Sequence, residues 1–461
     1  MKCIFFSICL FLVWGCSSTI SEHIITYEGV KNADRKWAQK EFVLSTFRAV
    51  PSSAAPLYSF DPSALQYYPQ AISTLKAANF NYIETAWDAS QATLAILKEC
   101  DKLGGMNVLA QDMSFLGSLP NSVAIPFHRD SLEKFLRIYG AYKSLKSVYI
   151  WDEPLAEQNS IVRESIDELE VQRPDLLGFT VLFPSYHPLY RWEDYTVMKY
   201  DEYVDKFIQE VNPAVLCTDY YAFGNNPTPS EFYRSLFWKD MGLFRNRAAK
   251  HNIPHWFYYQ ATKVMDIEAR LLSPGQIMVQ AWAAVMYGVK GLSSYTALGS
   301  VVGPKGEKEY LFEVTRKINS QLMNLGNTLL NLKSTAVYHA ESIIPDIYAS
   351  QIEKSDYITA LPEHISVGEF RDSENNVYML ILNKDFNSAH TFSIPLKDTF
   401  RIYKCDKDNK GKQSIIHDAT DKLPLELEAG EGTLIRIEIH RRPDRPGDLG
   451  AAHRGTRLFR G

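Results

Sequence analysis

Between residue 41 and about residue 335, short apolar runs of β character alternate with longer amphipathic runs. The short runs are Phe42–Phe47, Tyr82–Trp87, Asn107–Asp112, Val148–Trp151, Leu177–Phe183, Ala214–Tyr220, Trp256–Gln260 and Gly291–Tyr295, and each predicts a buried strand. Segments between them carry helical periodicity. In Ser131–Lys146, for example, apolar Leu132, Phe135, Leu136, Tyr139 and Tyr142 alternate with charged Glu133, Lys134, Arg137 and Lys143, with Ser131 as N-cap. Gly104-Gly105, Pro174, Pro213 and Pro254 each stand just before a strand, where a helix must stop. Eight such repeats predict an α/β protein with one (β/α)8 barrel over 41–335. A doubly wound open sheet fits less well, because no glycine-rich phosphate loop follows any strand.

Beyond residue 335 the period shortens to two in His364–Phe370, Val377–Asn383 and Thr433–Ile439, which predicts an antiparallel β-sandwich over 336–440. Residues 441–461 are rich in Arg, Gly and Pro and aperiodic, and are expected to be a disordered tail.

At the other end, Lys2 precedes an apolar run from Ile4 to Trp14 and then Gly15-Cys16. That run is too short to span a bilayer. It resembles a lipoprotein signal over 1–16, with Trp14 where a smaller residue is usual, and the resemblance implies acylation of Cys16 and a linker over 17–40. An ordinary cleaved signal or an uncleaved anchor is the alternative. Either removes the protein from the cytoplasm, and the lipoprotein reading tethers it in the cell envelope of a Gram-negative bacterium.

Composition excludes several classes. Cys3, Cys9 and Cys16 lie in the leader, leaving Cys100, Cys217 and Cys405 widely spaced, so neither a disulfide framework nor a Cys/His metal cluster is expected. A net charge of −5 with no basic stripe before the extreme C-terminus gives no field for nucleic acid. No cofactor motif is present. Aromatic residues make up 13% of the chain, and flat faces of this kind stack on sugar rings when they stand at strand ends rather than in the core.

In a barrel the chemistry gathers at the C-terminal ends of the strands. There the sequence offers Arg48, Glu84, Asp88, Asp112, Asp152, Glu153, His187, Asp219 and Gln260, with Trp87, Trp151, Tyr220, Tyr221, Trp256, Tyr258, Tyr259 and Tyr295 as aromatic neighbours. Asp152 and Glu153 end an apolar strand beside Trp151. Desolvation and mutual repulsion should raise a carboxyl pKa there toward that of a general acid, although an acid at this place also caps helices. Glu84 and Asp88 can bind a hydroxyl or pair with Arg48, and His187 has no second histidine nearby with which to hold a metal.

The run Asp152-Glu153-Pro154 at the fourth strand resembles the Asn-Glu-Pro of clan A retaining glycosidases, and Ser273-Pro-Gly-Gln276 and Met286-Tyr-Gly-Val-Lys-Gly291 resemble segments of family 42-like sugar hydrolases. The resemblance implies a glycoside hydrolase acting on the O-glycosidic bonds of an oligo- or polysaccharide, with Glu153 as acid/base. Two positions depart from it. Asp152 replaces the asparagine, and Gln260 ends the seventh strand where the nucleophilic glutamate belongs; an amide cannot form the glycosyl ester. Asp219 at the end of the sixth strand is then the candidate second carboxylate, as nucleophile or base, and Asp152 orienting a substrate acetamido group is a further option. Trp87, Asp88, Trp151, Tyr220, Tyr221, Trp256, Tyr258, Gln260 and Tyr295 are expected to line the sugar site. The competing expectations are a catalytically inactive carbohydrate-binding lipoprotein, for which the missing acid at Gln260 speaks, and a lyase or other carbohydrate-active enzyme.

Overall fold

The computed structural model describes residues 31–48, 50, 61–85, 90–112, 129–262 and 271–440, with two short strands at 118–119 and 122–124. Cys16, Trp87, Asp88 and the tail 441–461 lie outside the described residues.

The strands are β1 (Val43–Thr46), β2 (Tyr82–Glu84), β3 (Asn107–Ala110), the small β4–β5 hairpin (Ser118–Leu119, Ser122–Ala124), β6 (Leu145–Asp152), β7 (Leu177–Val181), β8 (Leu216–Tyr220), β9 (His255–Gln260) and β10 (Gly291–Tyr295). All but the hairpin are parallel, in two four-stranded sheets ordered β1-β10-β9-β8 and β2-β3-β6-β7. Parallel bridges Phe47–Glu84 and Leu182–Thr218 connect β1 to β2 and the end of β7 to β8. Hydrogen bonds from Asn81 N to Leu44 O (3.0 Å) and from Leu182 N to Cys217 O (2.9 Å) run beside them.

Alternation along the strands divides the core. Val43, Phe47, Cys217, Trp256 and Tyr258 of one sheet share a buried cluster with Tyr82, Leu109, Tyr149, Phe179 and Val181 of the other. Their neighbours Leu44, Ile83, Val108, Leu216 and Phe257 belong to a second cluster with apolar helix faces such as Ile72 and Leu75 of α1 (Tyr68–Ala77) and Val204, Phe207 and Ile208 of α5 (Tyr200–Val211). The remaining helices are α2 (Ser90–Leu103), α3 (Arg129–Tyr139), α4 (Asn159–Gln172), the single-turn α6 (Pro229–Tyr233), α7 (Phe237–His251), α8 (Pro274–Met286) and α9 (Phe312–Asn331).

Helix α3 differs from the sequence expectation at both ends. It starts at Arg129, so Ser131 lies inside it rather than capping it, and it stops at Tyr139. Gly140 follows as a turn, and β6 begins at Leu145, three residues earlier than expected. Residues 31–40, read from sequence as linker, are docked: Arg35 donates to Val211 O (2.7 Å) and Asn212 O (2.6 Å) and pairs with Asp167 at 2.6 Å, saturating carbonyls at the end of α5.

In the C-terminal part, β11 (Lys333–His339), β12 (Ile365–Arg371), β13 (Val377–Asn383), β14 (His390–Asp406), β15 (Lys412–Leu427) and β16 (Gly432–Ile439) form one antiparallel sheet ordered β11-β12-β13-β16-β14-β15. This corrects the expected sandwich of two sheets. The long β14–β15 hairpin changes register three times between Pro395 and Tyr403, and its Ile394, Leu396, Leu423 and Leu427 share a buried cluster with Val367, Met379, Ile381 and Ile435. Bulges of this kind bend strands, so a single sheet covers its own core. Its other face meets α8, which is buried on every side from Gln276 to Met286. Among the described residues no helix is long and apolar enough to cross a membrane.

Candidate active site

Asp152 and Glu153 emerge from an irregular strand. Along β6, Tyr149 is paired with Phe179 but Trp151 with Thr180, so one extra residue is accommodated at Ile150. The parity of the strand changes at that point. Tyr149 lies in the cluster between the sheets, whereas both Ile150 and Trp151 lie in the helix-side cluster, and Asp152 returns to the inner side. Glu153 follows with φ of +50°, a left-handed conformation that costs a residue with a Cβ roughly 1–2 kcal/mol. Its N–H is held by Val181 O at 2.9 Å. A strained residue fixed by its neighbours is a common mark of a functional position.

The two acids face a cavity of about 150 Å³ lined by Phe47, Tyr149, Asp152, Glu153, Val181, Asp219, Tyr221, Tyr258 and Tyr295. That is room for about five waters or one small ring. Asp219, from β8, is buried, and its Oδ1 has no hydrogen-bond partner among the described residues. The Tyr221 hydroxyl stands near its carboxyl and favours the ionised form. Tyr295 stacks on Phe47 and packs on Tyr221, at ring separations of 5.4 and 5.0 Å. Below them Glu84 accepts from the hydroxyls of Tyr258 and of Ser293 (2.6 Å) and so holds Tyr258 in place.

Burial is the largest influence on each acid. It pushes Glu153 well above the usual carboxyl range, with repulsion from Asp219 and Asp152 adding to it. Burial raises Asp219 to about 7 against the opposing influence of the Tyr221 hydroxyl, with repulsion from Asp152 helping. Asp152 rises to about 6, burial being opposed by the Tyr149 hydroxyl, which donates to Asp152 Oδ1 at 2.7 Å. The three titrate as a set, each held toward its protonated form by burial. A protonated and an ionised carboxyl facing one cavity can deliver a proton to a leaving atom and stabilise or attack the cation that develops. Among the described residues, the cavity's ligating groups are carboxyls and phenols.

Six of the residues expected from sequence therefore meet here: Asp152, Glu153, Asp219, Tyr221, Tyr258 and Tyr295. Four others do not line the cavity. Trp151 is turned toward the helices by the bulge. Tyr220 follows Asp219 by one residue and so takes the opposite face, against Phe237 at 5.9 Å. Trp256 has the right parity but stands one layer deeper, against Trp37 and Phe179, with its indole N–H on Gln39 Oε1 at 2.9 Å. Gln260 is tied to backbone, accepting from Phe223 N (2.9 Å) and donating to Thr262 O (3.1 Å). Of the other polar candidates, Asp112 accepts from Tyr139 (2.5 Å) and Ser90 (3.0 Å), anchoring α3 and α2, and His187 stacks on Phe183 at 4.1 Å. Sequence reasoning missed Phe47, Tyr149 and Val181 as wall residues. The period-two series Tyr149 with Phe179 and Val181 across from it carries that signal once the bulge is known.

No known family profile matches the chain, and no curated protein matches it. Among solved structures it is similar to a GH30 endoxylanase from Clostridium papyrosolvens C71, with 11% identity and a TM-score of 0.41 over 86% of this chain and 95% of that one. A GH51 arabinofuranosidase from Xanthomonas axonopodis pv. citri gives 8% identity and a TM-score of 0.44 over 89% and 97%. A putative alpha-L-fucosidase from Bacteroides thetaiotaomicron gives 12% and 0.44 over 60% and 95%. Likenesses of this size establish neither family nor activity.

Proposed function

We propose that the protein is a glycoside hydrolase whose two parallel sheets close into a single (β/α)8 barrel, with Glu153 as general acid and Asp219 as the second carboxylate. One observation carries this reading: three acids from the ends of β6 and β8 share a tyrosine-walled cavity in which burial raises all three, with repulsion adding at Glu153 and Asp219. Glu153 protonates the glycosidic oxygen as the bond to the anomeric carbon lengthens, and Asp219, ionised in that state, attacks that carbon or activates the water that does. Asp152, held by Tyr149, adds negative charge beside the developing oxocarbenium ion. Tyr221 and Tyr295 offer ring faces and hydroxyls to the sugar.

The test is a screen of aryl glycosides and plant, algal and host glycans, with the anomer first released followed by ¹H NMR. The reading expects cleavage of at least one class, with retention if Asp219 is the nucleophile and inversion if it is the base. The second reading, a binding protein that has lost its chemistry, is favoured by Gln260, whose amide ends β9 where the sequence resemblance to clan A glycosidases calls for an acid. Sugar binding without cleavage of any class would establish it.

We also propose that the chain is lipid-anchored through Cys16, on the strength of the Ile4–Trp14 run ending at Gly15-Cys16. Cys16→Ser should block processing or release protein from the membrane fraction. A variant that matures unchanged and stays with the membrane contradicts the anchor.

A further inference from the structure

Away from the carboxyl cavity, His364, Asp385 and His390 come together where the C-terminal sheet meets α6. One ligating atom from each lies within 4.8 Å of the others. His390 Nε2 is 3.1 Å from Asp385 Oδ2, and the two imidazole centroids are 4.9 Å apart. We infer that these three side chains form a divalent transition-metal site of the two-histidine, one-carboxylate kind, suited to Zn²⁺.

The surroundings resemble the outer shell that such ligands need. Asp385 Oδ1 accepts from Asn387 N (2.8 Å), which leaves Oδ2 to face His390. His364 Nδ1 is 3.1 Å from the Tyr233 hydroxyl, so that ring is oriented by a partner while Nε2 is turned to other groups. Metal-bound histidines are held in this way through their second nitrogen. The backbone of His364 is itself fixed, with φ of +66° and its N–H on Glu341 Oε1 at 2.6 Å. The side chains of Asp385, His364 and His390 are 12%, 26% and 32% exposed, which gives an ion a route from solvent without leaving the carboxylate in bulk water.

Distances decide which ion fits. Four bonds of about 2.0–2.1 Å in a tetrahedron set ligand atoms about 3.3 Å apart, close to the His390–Asp385 separation, and a contraction of at most about 1.5 Å brings in the rest. Three protein ligands leave a position for water or for Glu363, whose Oε1 is 3.7 Å from His364 Nε2. The ion joins the β13–β14 connection to the loop before β12 and, through Tyr233, to α6. Phe386 beside it already packs on Phe223 and Phe232 at 5.2 and 6.0 Å. The site therefore clamps the sheet onto the chain that follows Tyr221, and it stands or falls independently of the glycosidase reading.

The experiment is a Zn²⁺ titration of the chelator-treated full chain by calorimetry, with thermal melts, followed by X-ray absorption on the Zn²⁺-loaded wild type. Expected are one ion per chain, a higher Tm with Zn²⁺, a tenfold or greater loss of affinity in His364→Ala and in His390→Ala, and a scattering shell with two imidazoles. The absorption measurement needs no variant, so a misfolded mutant does not cloud the result. Absence of stoichiometric binding, affinity unchanged in both variants, or a shell without imidazole overturns the proposal.

Discussion

Glu153 has the backbone of a turn although it directly continues a strand, and this places its carboxyl in the cavity beside that of Asp152 instead of on the opposite face. The cluster so formed is electrostatically costly when ionised. An acid whose pKa is raised by folding binds its proton more tightly in the native state, so its contribution is fully present below the unfolded value near 4 and is lost as pH rises through the folded value. With Asp152 at about 6 and Asp219 at about 7, stability should fall as pH rises from about 4 to 7. Asp219→Asn should flatten this dependence and raise Tm at pH 8 by roughly 5 °C relative to wild type. Melts of both proteins across that range check it, and an unchanged slope would mean that Asp219 does not carry the shift. Much at this scale was legible in the sequence, because Asp219, Tyr258 and Tyr295 follow the strict alternation of their strands. Trp151 was not, since an extra residue at Ile150 inverts the parity that the pattern assumes. Depth was also invisible: Trp256 shares the face of Tyr258 but sits nearer the N-terminal ends of the strands.

Among the elements, the parallel strands were the most legible, as apolar runs, several of them preceded by Gly or Pro, leave little freedom of interpretation. In the C-terminal sheet β12, β13 and β16 were equally legible, but the β14–β15 hairpin was not. In β15, residues 412 to 417 are nearly all exposed, so the hairpin it makes with β14 has no clear hydrophobic alternation to report a bend. Helix α8 shows the same limit from the other side: it is apolar around its whole circumference, which announces burial but not what buries it. The answer lies partly in Gly368 of β12, where an added Cβ would come within 2.3 Å of Met286 O at the end of α8. Since that neighbour is backbone, no rotamer relieves the clash. Gly368→Ala should destabilise the protein by about 1–3 kcal/mol, as overpacking does, measured by denaturant unfolding. A neutral substitution would show that the helix and sheet are not in the close contact described.

For the whole molecule, the order of strands brings Glu153 and Asp219, distant in sequence, to one cavity from the ends of β6 and β8. The parallel bridges Phe47–Glu84 and Leu182–Thr218 link neighbouring strand ends of the two parallel sheets. Alternating strands and helices predicted parallel sheets with helices between the strands, but not which acids would meet, because that depends on the bulge in β6 and on the turn at Glu153. In the proposed reaction Glu153 supplies the proton and Asp219 the second carboxylate. Its most direct test is kcat/KM of Glu153→Gln and Asp219→Asn on paired substrates with poor and good leaving groups. Loss of the proton donor should lower turnover of the poor leaving group by roughly 10²-fold or more and leave the activated substrate far less affected, whereas Asp219→Asn should damage both alike. Full activity of both variants on a substrate that the wild type cleaves would contradict the assignment.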